Sequence, residues 1–318
     1  MKKMLICGGN GFIGSNAINY FKRDKNYKII ATYNTNKPKI DLDIEWIRLD
    51  LRNPTEVKKA VKDIDILIQC AATTSGVKAA FKSPDFHVTD NAIMNSIIFR
   101  EAHLEKVKHL IFFSCTTMLK SSFNSQAEDS FDANSEIYDK YFGVGWTKVY
   151  LEKMCEFFSR QGSTKFTVFR HSNVYGPWDK YDLENSHVFG ATVTKVLTSG
   201  GKVKIWGSGQ EKRDLLYVED LMEIIQAAIC KQDSPFELFN AGGGDLISIM
   251  DLTKLIAKLA NKQIEVECDE FMPTVNFSVL LNNSKALREL GWFPKTNLET
   301  GIAKSIDFWN TQFRAGLE

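Results

Sequence analysis

The feature that most constrains this chain is a glycine-rich turn close to its start. Gly8-Gly9-Asn10-Gly11-Phe12-Ile13-Gly14 follows a short apolar run and precedes a segment of helical character. Glycine permits a tight turn and a close backbone approach, and the N–H groups of the following helix face an anion. Glycines at 8, 11 and 14 therefore predict a site for the pyrophosphate of a dinucleotide. A plain strand–helix turn is the alternative.

Short apolar runs alternate with longer helical segments in the first half of the chain. We predict strands at 4–7, 28–33, 45–49, 64–70, 109–114 and 166–170, and helices at 12–23, 55–62, 90–105 and 141–160. This alternation predicts an α/β fold with a doubly wound parallel sheet of the Rossmann type. Shorter mixed elements follow Asn173. We expect a dinucleotide-binding domain at 1–172 and a smaller α+β substrate domain at 173–318, with about 214–240 returning to the first.

Charge and cysteine content narrow the function classes. The chain has 40 Lys+Arg and 39 Asp+Glu, giving a formal net charge of +1. This balance gives no general reason to bind nucleic acid or a membrane surface, so an anionic ligand needs a local site. The six cysteines form no Cys-x-x-Cys pair, and neither a disulfide framework nor a metal site is indicated. With no signal-peptide pattern, we expect a cytoplasmic protein.

Polar residues after the second strand bear on the choice of cofactor. Where an acidic residue would bind the adenosine ribose, the chain has Asn34, Asn36 and Lys37. The amides can bond ribose hydroxyls and Lys37 can neutralise a 2′-phosphate, so we expect NAD and leave NADP open. Further cofactor candidates, which could equally be plain loop, follow the third and fourth strands: Asp50, Leu51, Ala71, Ala72 and Thr73.

Several motifs along the chain occur together in one known family. They are the glycines at 8, 11 and 14, Cys70-Ala71-Ala72, Asn91, 173–177, 213–220, and the closing stretches 283–287, 290–294 and 298–302. In these the chain resembles the extended short-chain dehydrogenase/reductase family over nearly its whole length. The resemblance implies an NAD(P)-dependent enzyme acting on nucleotide-linked sugars, in a homodimer or higher homo-oligomer. It adds these cofactor-binding positions: Phe12, Ile13, Asn91, Lys148 and His171.

A second set of motifs is most similar to the GDP-L-fucose synthase group of that family. These are 173–179, 183–188 and 206–209, with Arg213. The resemblance implies a GDP-linked sugar as partner, an acid/base role for His187, and these substrate-binding residues: Asn173, Asn185, His187, Val188, Lys195, Trp206 and Arg213. Arginine also offers a two-pronged donor to a diphosphate. Alternatively, Arg213 pairs with Asp214 or Glu219 on the surface, Trp206 fills the core, and His187 only hydrogen-bonds substrate or backbone.

The catalytic positions depart from the family pattern. Members use a Ser/Thr with a Tyr-x-x-x-Lys pair, and here Lys148 fits while Val144 stands at the Tyr position. Cys115 stands at the Ser/Thr position, followed by Thr116. Thr117 takes the place of the cysteine that serves epimerisation in GDP-L-fucose synthases. The resemblance therefore disfavours double epimerisation, and the absence of an Asp-Glu pair here disfavours 4,6-dehydration.

Hydride transfer at a sugar carbon remains the expected chemistry. We expect oxidation or reduction at C4 of a GDP-linked hexose, 6-deoxyhexose or heptose, in polysaccharide biosynthesis. His187, Tyr141 or a water held by Cys115, Thr116 or Thr117 would handle the proton. The alternative is a catalytically quiet protein that binds NAD and a GDP-sugar as a regulator or partner subunit.

Overall fold

A seven-stranded sheet forms the centre of the molecule. The computed structural model describes residues 1–36, 38, 43–73, 85–272 and 274–313. The strand order in the sheet is β3-β2-β1-β4-β5-β7-β11, and each neighbouring pair is parallel. The strands are β1 Lys2–Cys7, β2 Tyr27–Tyr33, β3 Glu45–Arg48, β4 Ile66–Gln69, β5 His109–Ser114, β7 Lys165–His171 and β11 Phe236–Ala241.

Helices cover both faces of this sheet, as the alternating pattern predicts. One face packs against α1 Phe12–Phe21, α6 Val218–Lys231 and α8 Ser284–Leu290. The other packs against α2 Pro54–Val61, α3 Asp85–Leu104 and α4 Phe142–Ser159. Apolar residues of the strands alternate between the two cores, as in Ile6 and Leu5 of β1. The doubly wound parallel sheet is therefore confirmed.

Smaller sheets and a third core follow β7. The chain continues through β8 Asn173–Tyr175, α5 Val188–Thr198, β9 Lys202–Trp206, β10 Lys212–Tyr217, β12 Leu246–Ser248, α7 Ile249–Leu259, β13 Glu265–Asp269 and α9 Leu298–Phe313. Strand β10 pairs antiparallel with β12 and parallel with β8. Buried residues of α5, α7 and α9 form a separate apolar cluster. The division of the chain into two domains stays a prediction.

A short pairing connects distant parts of the sequence. β6 Ser122–Gln126 runs parallel to β14 Val279–Leu281, and the backbone N–H of Ser122 donates to the carbonyl of Ser278 at 2.7 Å. Two short 3₁₀ helices, Glu128–Ser130 and Asp139–Tyr141, complete the segment before α4. None of the helices in the described ranges is both long enough and apolar enough to span a bilayer.

Candidate active site

The glycine turn forms an open anion-binding end on α1. Gly8 has φ +72°, and its N–H donates to Thr32 Oγ1 at 3.0 Å, which fixes the turn against β2. A Cβ at Gly14 would lie 2.2 Å from the Gly8 carbonyl oxygen, so only glycine fits there. Gly11 is the N-cap of α1 and supplies no side-chain cap, which leaves N–H groups of the first turn, including those of Phe12 and Ile13, for a ligand.

A cavity opens beside this turn, at the carboxyl ends of β1, β2, β3 and β4. Its volume is about 220 Å³. It brings together seven residues expected from the sequence: Gly8, Asn34, Asp50, Leu51, Ala71, Ala72 and Thr73. Six further residues line it that sequence reasoning missed: Thr32, Tyr33, Leu49, Arg52, Asp90 and Met94. Ligands of open α/β sheets bind outside the carboxyl ends of the strands, so the cavity fits the adenosine half of a dinucleotide.

Arg52 is the most informative of the missed residues. Its guanidinium donates to Asp50 Oδ2 at 2.8 Å and Oδ1 at 3.1 Å, and to Asp90 Oδ2 at 3.1 Å. These hydrogen bonds hold the pKa of Asp50 below its usual value and fix its carboxylate on the cavity wall. The only sequence signal for this contact is that Arg52 comes two residues after Asp50.

Asn91 supports the candidate cofactor site by hydrogen bonds to the backbone of Thr73. Its Oδ1 accepts from the Thr73 N–H at 3.0 Å, and its Nδ2 donates to the Thr73 carbonyl at 3.0 Å. Asn91 therefore shapes the loop after β4. Asn36 is exposed, and its carbonyl accepts from Asn10 Nδ2 at 3.2 Å. Lys37, the third polar candidate after β2, lies outside the described residues.

Four of the six expected catalytic residues lie where β5 ends. Cys115, Thr116 and Thr117 follow Ser114 directly and are half-buried. Cys115 Sγ lies 3.1 Å from Thr117 Oγ1, within hydrogen-bond range for sulfur. From α4, Lys148 Nζ donates to the carbonyl of Phe113 at 2.8 Å. Half-buried Val144 lies one turn before Lys148, so this helix offers no phenol there.

Lys148 lies in a mixed electrostatic environment. Burial lowers its pKa, while Cys115 and then Glu152 raise it in part. Glu152 lies one turn after Lys148 on α4, so Lys148 has two groups nearby that can carry negative charge. An ammonium in this setting can stabilise an anion that forms next to it.

A buried ionic network lies beneath this site. Glu152 accepts from Arg170 Nε at 2.9 Å and Nη2 at 2.6 Å, and from Ser114 Oγ at 2.5 Å. Arg170 also donates to the carbonyl of Glu128 at 2.7 Å. Arg170 is 4% exposed and Glu152 5% exposed. The network connects α4 to the ends of β5 and β7 and thereby positions the helix that carries Lys148.

Two histidines flank the catalytic strand end. His171 Nδ1 lies 2.7 Å from the carbonyl of Ser172, to which it donates, and burial lowers the pKa of His171 to about 4. His187 comes directly before α5, and its side chain is exposed. Desolvation by the surrounding protein nevertheless lowers the pKa of His187, and the charge of Lys180 lowers it further. His187 also contributes to the lowered pKa of His171.

Arg213 and Tyr141 come together at the segment before β14. Arg213 donates to the carbonyls of Phe277 and Val275, each at 3.0 Å. The ring of Tyr141 packs edge-on against Phe277 at 5.2 Å, and burial raises the pKa of its phenol. Arg213 opposes that shift, so the guanidinium and the phenol interact. Arg213 does not pair with Asp214 or Glu219: the Asp214 carboxylate accepts from the backbone N–H groups of Gly243 and Leu281, and Glu219 pairs with Lys304.

The remaining substrate candidates occupy two places. Lys195 Nζ lies 5.4 Å from the ring centroid of Trp206 and donates to the carbonyl of Lys204 at 2.9 Å. Trp206 ends β9 and is half-buried, which leaves part of its ring face accessible. Asn173 Nδ2 donates to the carbonyl of Asp214 at 3.1 Å.

The 182–188 stretch holds the last two candidates. Asn185 is exposed and donates from Nδ2 to Asp182 Oδ1 at 3.0 Å, which closes a turn before α5. Val188 is half-buried in the first turn of that helix. In this structure Asn185 therefore serves the turn, and Val188 packs beside the third core.

Comparison with known proteins identifies the family of the chain. Residues 4–242 match the model of the NAD dependent epimerase/dehydratase family. The chain is 26% identical over 312 residues to the GDP-L-colitose synthase of Yersinia pseudotuberculosis, covering 96% of this chain and 97% of that protein. It is 28% identical over 314 residues to a GDP-L-fucose synthase of Sinorhizobium fredii, covering 96% and 95%.

Solved structures share the fold over the full length. A UDP-glucose 4-epimerase from Thermotoga maritima, solved with UDP-glucose, superposes with a TM-score of 0.84 at 25% identity, covering 99% of this chain and 100% of that one. The UDP-glucose 4-epimerase of Thermus thermophilus in complex with NAD gives a TM-score of 0.83 at 21% identity, covering 98% and 99%. The second likeness supports the fold alone.

Proposed function

Because this chain belongs to the NAD dependent epimerase/dehydratase family, we propose that it is an oxidoreductase transferring hydride at C4 of a GDP-linked hexose, 6-deoxyhexose or heptose. The family is one of NAD-dependent enzymes. The reaction type, the sugar carbon and the GDP group are our proposals, and the similarity to GDP-L-colitose and GDP-L-fucose synthases supports the last of them.

The described residues fit an NAD molecule. A Cβ at Gly8 would lie 2.7 Å from Ala71 Cα, so the loops after β1 and β4 make a close-walled cleft beside the uncapped end of α1. That helix end would hold the pyrophosphate. The cavity wall at Asp50 would contact the adenine, and Asn34 would hydrogen-bond the ribose. Lys148 would hold the nicotinamide ribose. When bound, NAD supplies the acceptor or donor of hydride.

Cations in the second half of the chain would hold the nucleotide sugar. We assign the diphosphate to Arg213, which would exchange its hydrogen bonds to the carbonyls of Val275 and Phe277 for phosphate oxygens. Trp206, with Lys195 over its ring, offers a flat face for the base or sugar. Asn173 would contact the sugar. In this proposal a small number of precisely positioned cations binds both ligands. No basic surface is then needed, which is consistent with the net charge of +1.

The observation that carries the proposal is the meeting of Lys148 with the end of β5. Its Nζ lies 2.8 Å from the Phe113 carbonyl, next to Cys115 and Thr117, at the sheet edge that also forms the cofactor cavity. The Lys148 ammonium and side chains that can hydrogen-bond a hydroxyl therefore lie at the same carboxyl end of the sheet as the proposed dinucleotide site. This arrangement suits proton and hydride exchange at one carbon.

One observation favours a second function. Val144 provides no phenol next to Lys148, so the protein would act as a quiet binder of NAD and a GDP-sugar if no other group transfers the proton. The test incubates purified protein with NADH and 4-keto GDP-hexoses, and with NAD and GDP-hexoses, and follows nicotinamide absorbance and products. Our proposal requires hydride transfer that Lys148→Met suppresses. Binding without transfer for every sugar supports the quiet binder, and Val144→Tyr would then restore turnover.

We also propose a homodimer acting in the cytoplasm. Helices α3 and α4 pack side by side and expose Ile93 (49%), Tyr150 (51%) and Phe157 (54%). These apolar side chains support a self-association surface. Light scattering behind a sizing column should give twice the mass of 36.1 kDa, and a double Tyr150→Glu, Phe157→Glu variant should give the monomer mass.

A further inference from the structure

Reduction of a ketone at C4 needs a proton at its oxygen as well as hydride at its carbon. The proposed function therefore requires an acid close to Lys148, and Val144 cannot provide it. Besides the Lys148 ammonium and the weakly acidic hydroxyls of Thr116 and Thr117, the described side chains around the site that could supply a proton include Cys115, Tyr141 and His187. The acid becomes more negative by one unit when it acts, so the best candidate is the one next to a positive charge.

Cys115 satisfies this condition. It is the first residue after Ser114, the last residue of β5, and it is half-buried at the edge of the sheet. Lys148 Nζ is fixed 2.8 Å from the carbonyl of Phe113, two residues before the thiol. The ammonium and the thiol interact, since Cys115 is the main group that opposes the effect of burial on the pKa of Lys148. Thr117 Oγ1 lies 3.1 Å from Sγ on the other side.

The other two candidates are placed less favourably. Tyr141 lies against the rings of Tyr138 and Phe277, where burial raises its pKa and opposes loss of the proton. The cation near it, Arg213, is the one assigned to the diphosphate of the nucleotide sugar, so it would not also stabilise a phenolate. His187 would have to be an imidazolium to act as an acid, and both the surrounding protein and Lys180 disfavour that charge although the side chain is exposed.

We propose that the Cys115 thiol gives the proton to the C4 oxygen in place of the missing tyrosine, with Lys148 stabilising the thiolate. As hydride forms the new C4–H bond, the S–H bond breaks, the O4–H bond forms, and the carbon–oxygen double bond becomes single. The thiolate regains a proton from water through the Thr117 hydroxyl. In the oxidising direction the thiolate takes the O4 proton. This assignment rests on the proposed function.

The first test measures the thiol itself and needs no sugar. The protein with NAD added is alkylated with iodoacetamide over a range of pH, and each cysteine is quantified by peptide mass spectrometry. Exposed Cys230 and Cys268 act as internal references. We expect Lys148→Met to slow the alkylation of Cys115 relative to that of Cys230 and Cys268, because the ammonium proposed to favour the thiolate is lost. An unchanged ratio of alkylation rates in the two proteins would overturn the thiolate–ammonium pair.

The second test measures turnover with NADH and a 4-keto GDP-hexose. We expect Cys115→Ser to lower kcat about 100-fold or more with KM changed less than about threefold, because an acid is lost and the shape is kept. Adding Val144→Tyr to that variant should restore much of kcat, with a basic limb moved to higher pH. Cys268→Ser, which changes an exposed thiol on β13, is the matched control and should behave as wild type.

The outcomes separate the two proposals. No hydride transfer by the wild type with any 4-keto GDP-hexose overturns the proposed function and this role together. Wild-type turnover that Cys115→Ser leaves within twofold overturns the role alone and points to Tyr141 or His187. The thiol is supported as the acid if Cys115→Ser lowers kcat and Val144→Tyr restores it with a changed pH profile. The pH profile matters because repair of a merely structural defect would leave it unchanged.

Discussion

Replacement of Arg170 by methionine tests the buried network beneath the catalytic strand end. The change removes a guanidinium that is 4% exposed and leaves the Glu152 carboxylate, 5% exposed, with the Ser114 hydroxyl as its remaining donor. Breaking a buried ion pair in this way costs about 3–5 kcal/mol, much more than losing a surface pair. At about 2–4 °C per kcal/mol, we expect Tm to fall by about 6–20 °C.

Thermal and urea unfolding followed by circular dichroism provide the assay. The matched control is the double variant Arg170→Met, Glu152→Met, which removes both charges and fills the space with apolar side chains. We expect it to be more stable than Arg170→Met alone by at least about 1 kcal/mol, since no unpaired carboxylate remains buried. A single variant within about 1 kcal/mol of wild type, or a double variant as unstable as the summed singles, would refute the reasoning.

Two further predictions concern the cofactor loop and acid stability. Asn91→Leu removes both hydrogen bonds to the Thr73 backbone and should weaken NAD binding about tenfold in calorimetric titration, and an unchanged Kd would remove the positioning role. Burial lowers the pKa of His109 from 6.5 to about 3, so the unfolded chain binds a proton that the native protein refuses, and stability should fall as pH falls through that window. The fall should be shallower in His109→Gln, measured as urea midpoints, and equal slopes would contradict it.

Local patterns predicted the fold well, and seven of the cofactor candidates predicted from the sequence line one cavity. The turn at Gly8, Gly11 and Gly14 depends on backbone freedom and on its place between a strand and a helix, and both can be read from neighbouring residues. The helix predicted from residue 90 begins at Asp85 instead, because apolar and polar residues are mixed around the whole helix and no amphipathic pattern marks where it starts.

Contacts between distant residues could not be predicted in the same way. The pairing of Arg170 with Glu152 joins a charged residue within an apolar strand to a helix residue, and sequence spacing does not reveal which charges are buried together. The hydrogen bonds of Arg213 to Val275 and Phe277 span more than 60 positions of the chain. Sequence reasoning could name the arginine as a candidate, but its present partners depend on tertiary packing.

The pairing of β6 with β14 has a consequence for the order in which the protein matures on the ribosome. β6 lies between Cys115 and Lys148 in the sequence, and its partner strand is Val279–Leu281. Synthesis proceeds from the N-terminus, so the seven-stranded sheet can assemble from residues up to Ala241 before β14 emerges. The segment between Cys115 and Lys148 would gain this strand pairing only near the end of translation. A chain that ends before residue 279 should therefore bind NAD but not turn over a sugar.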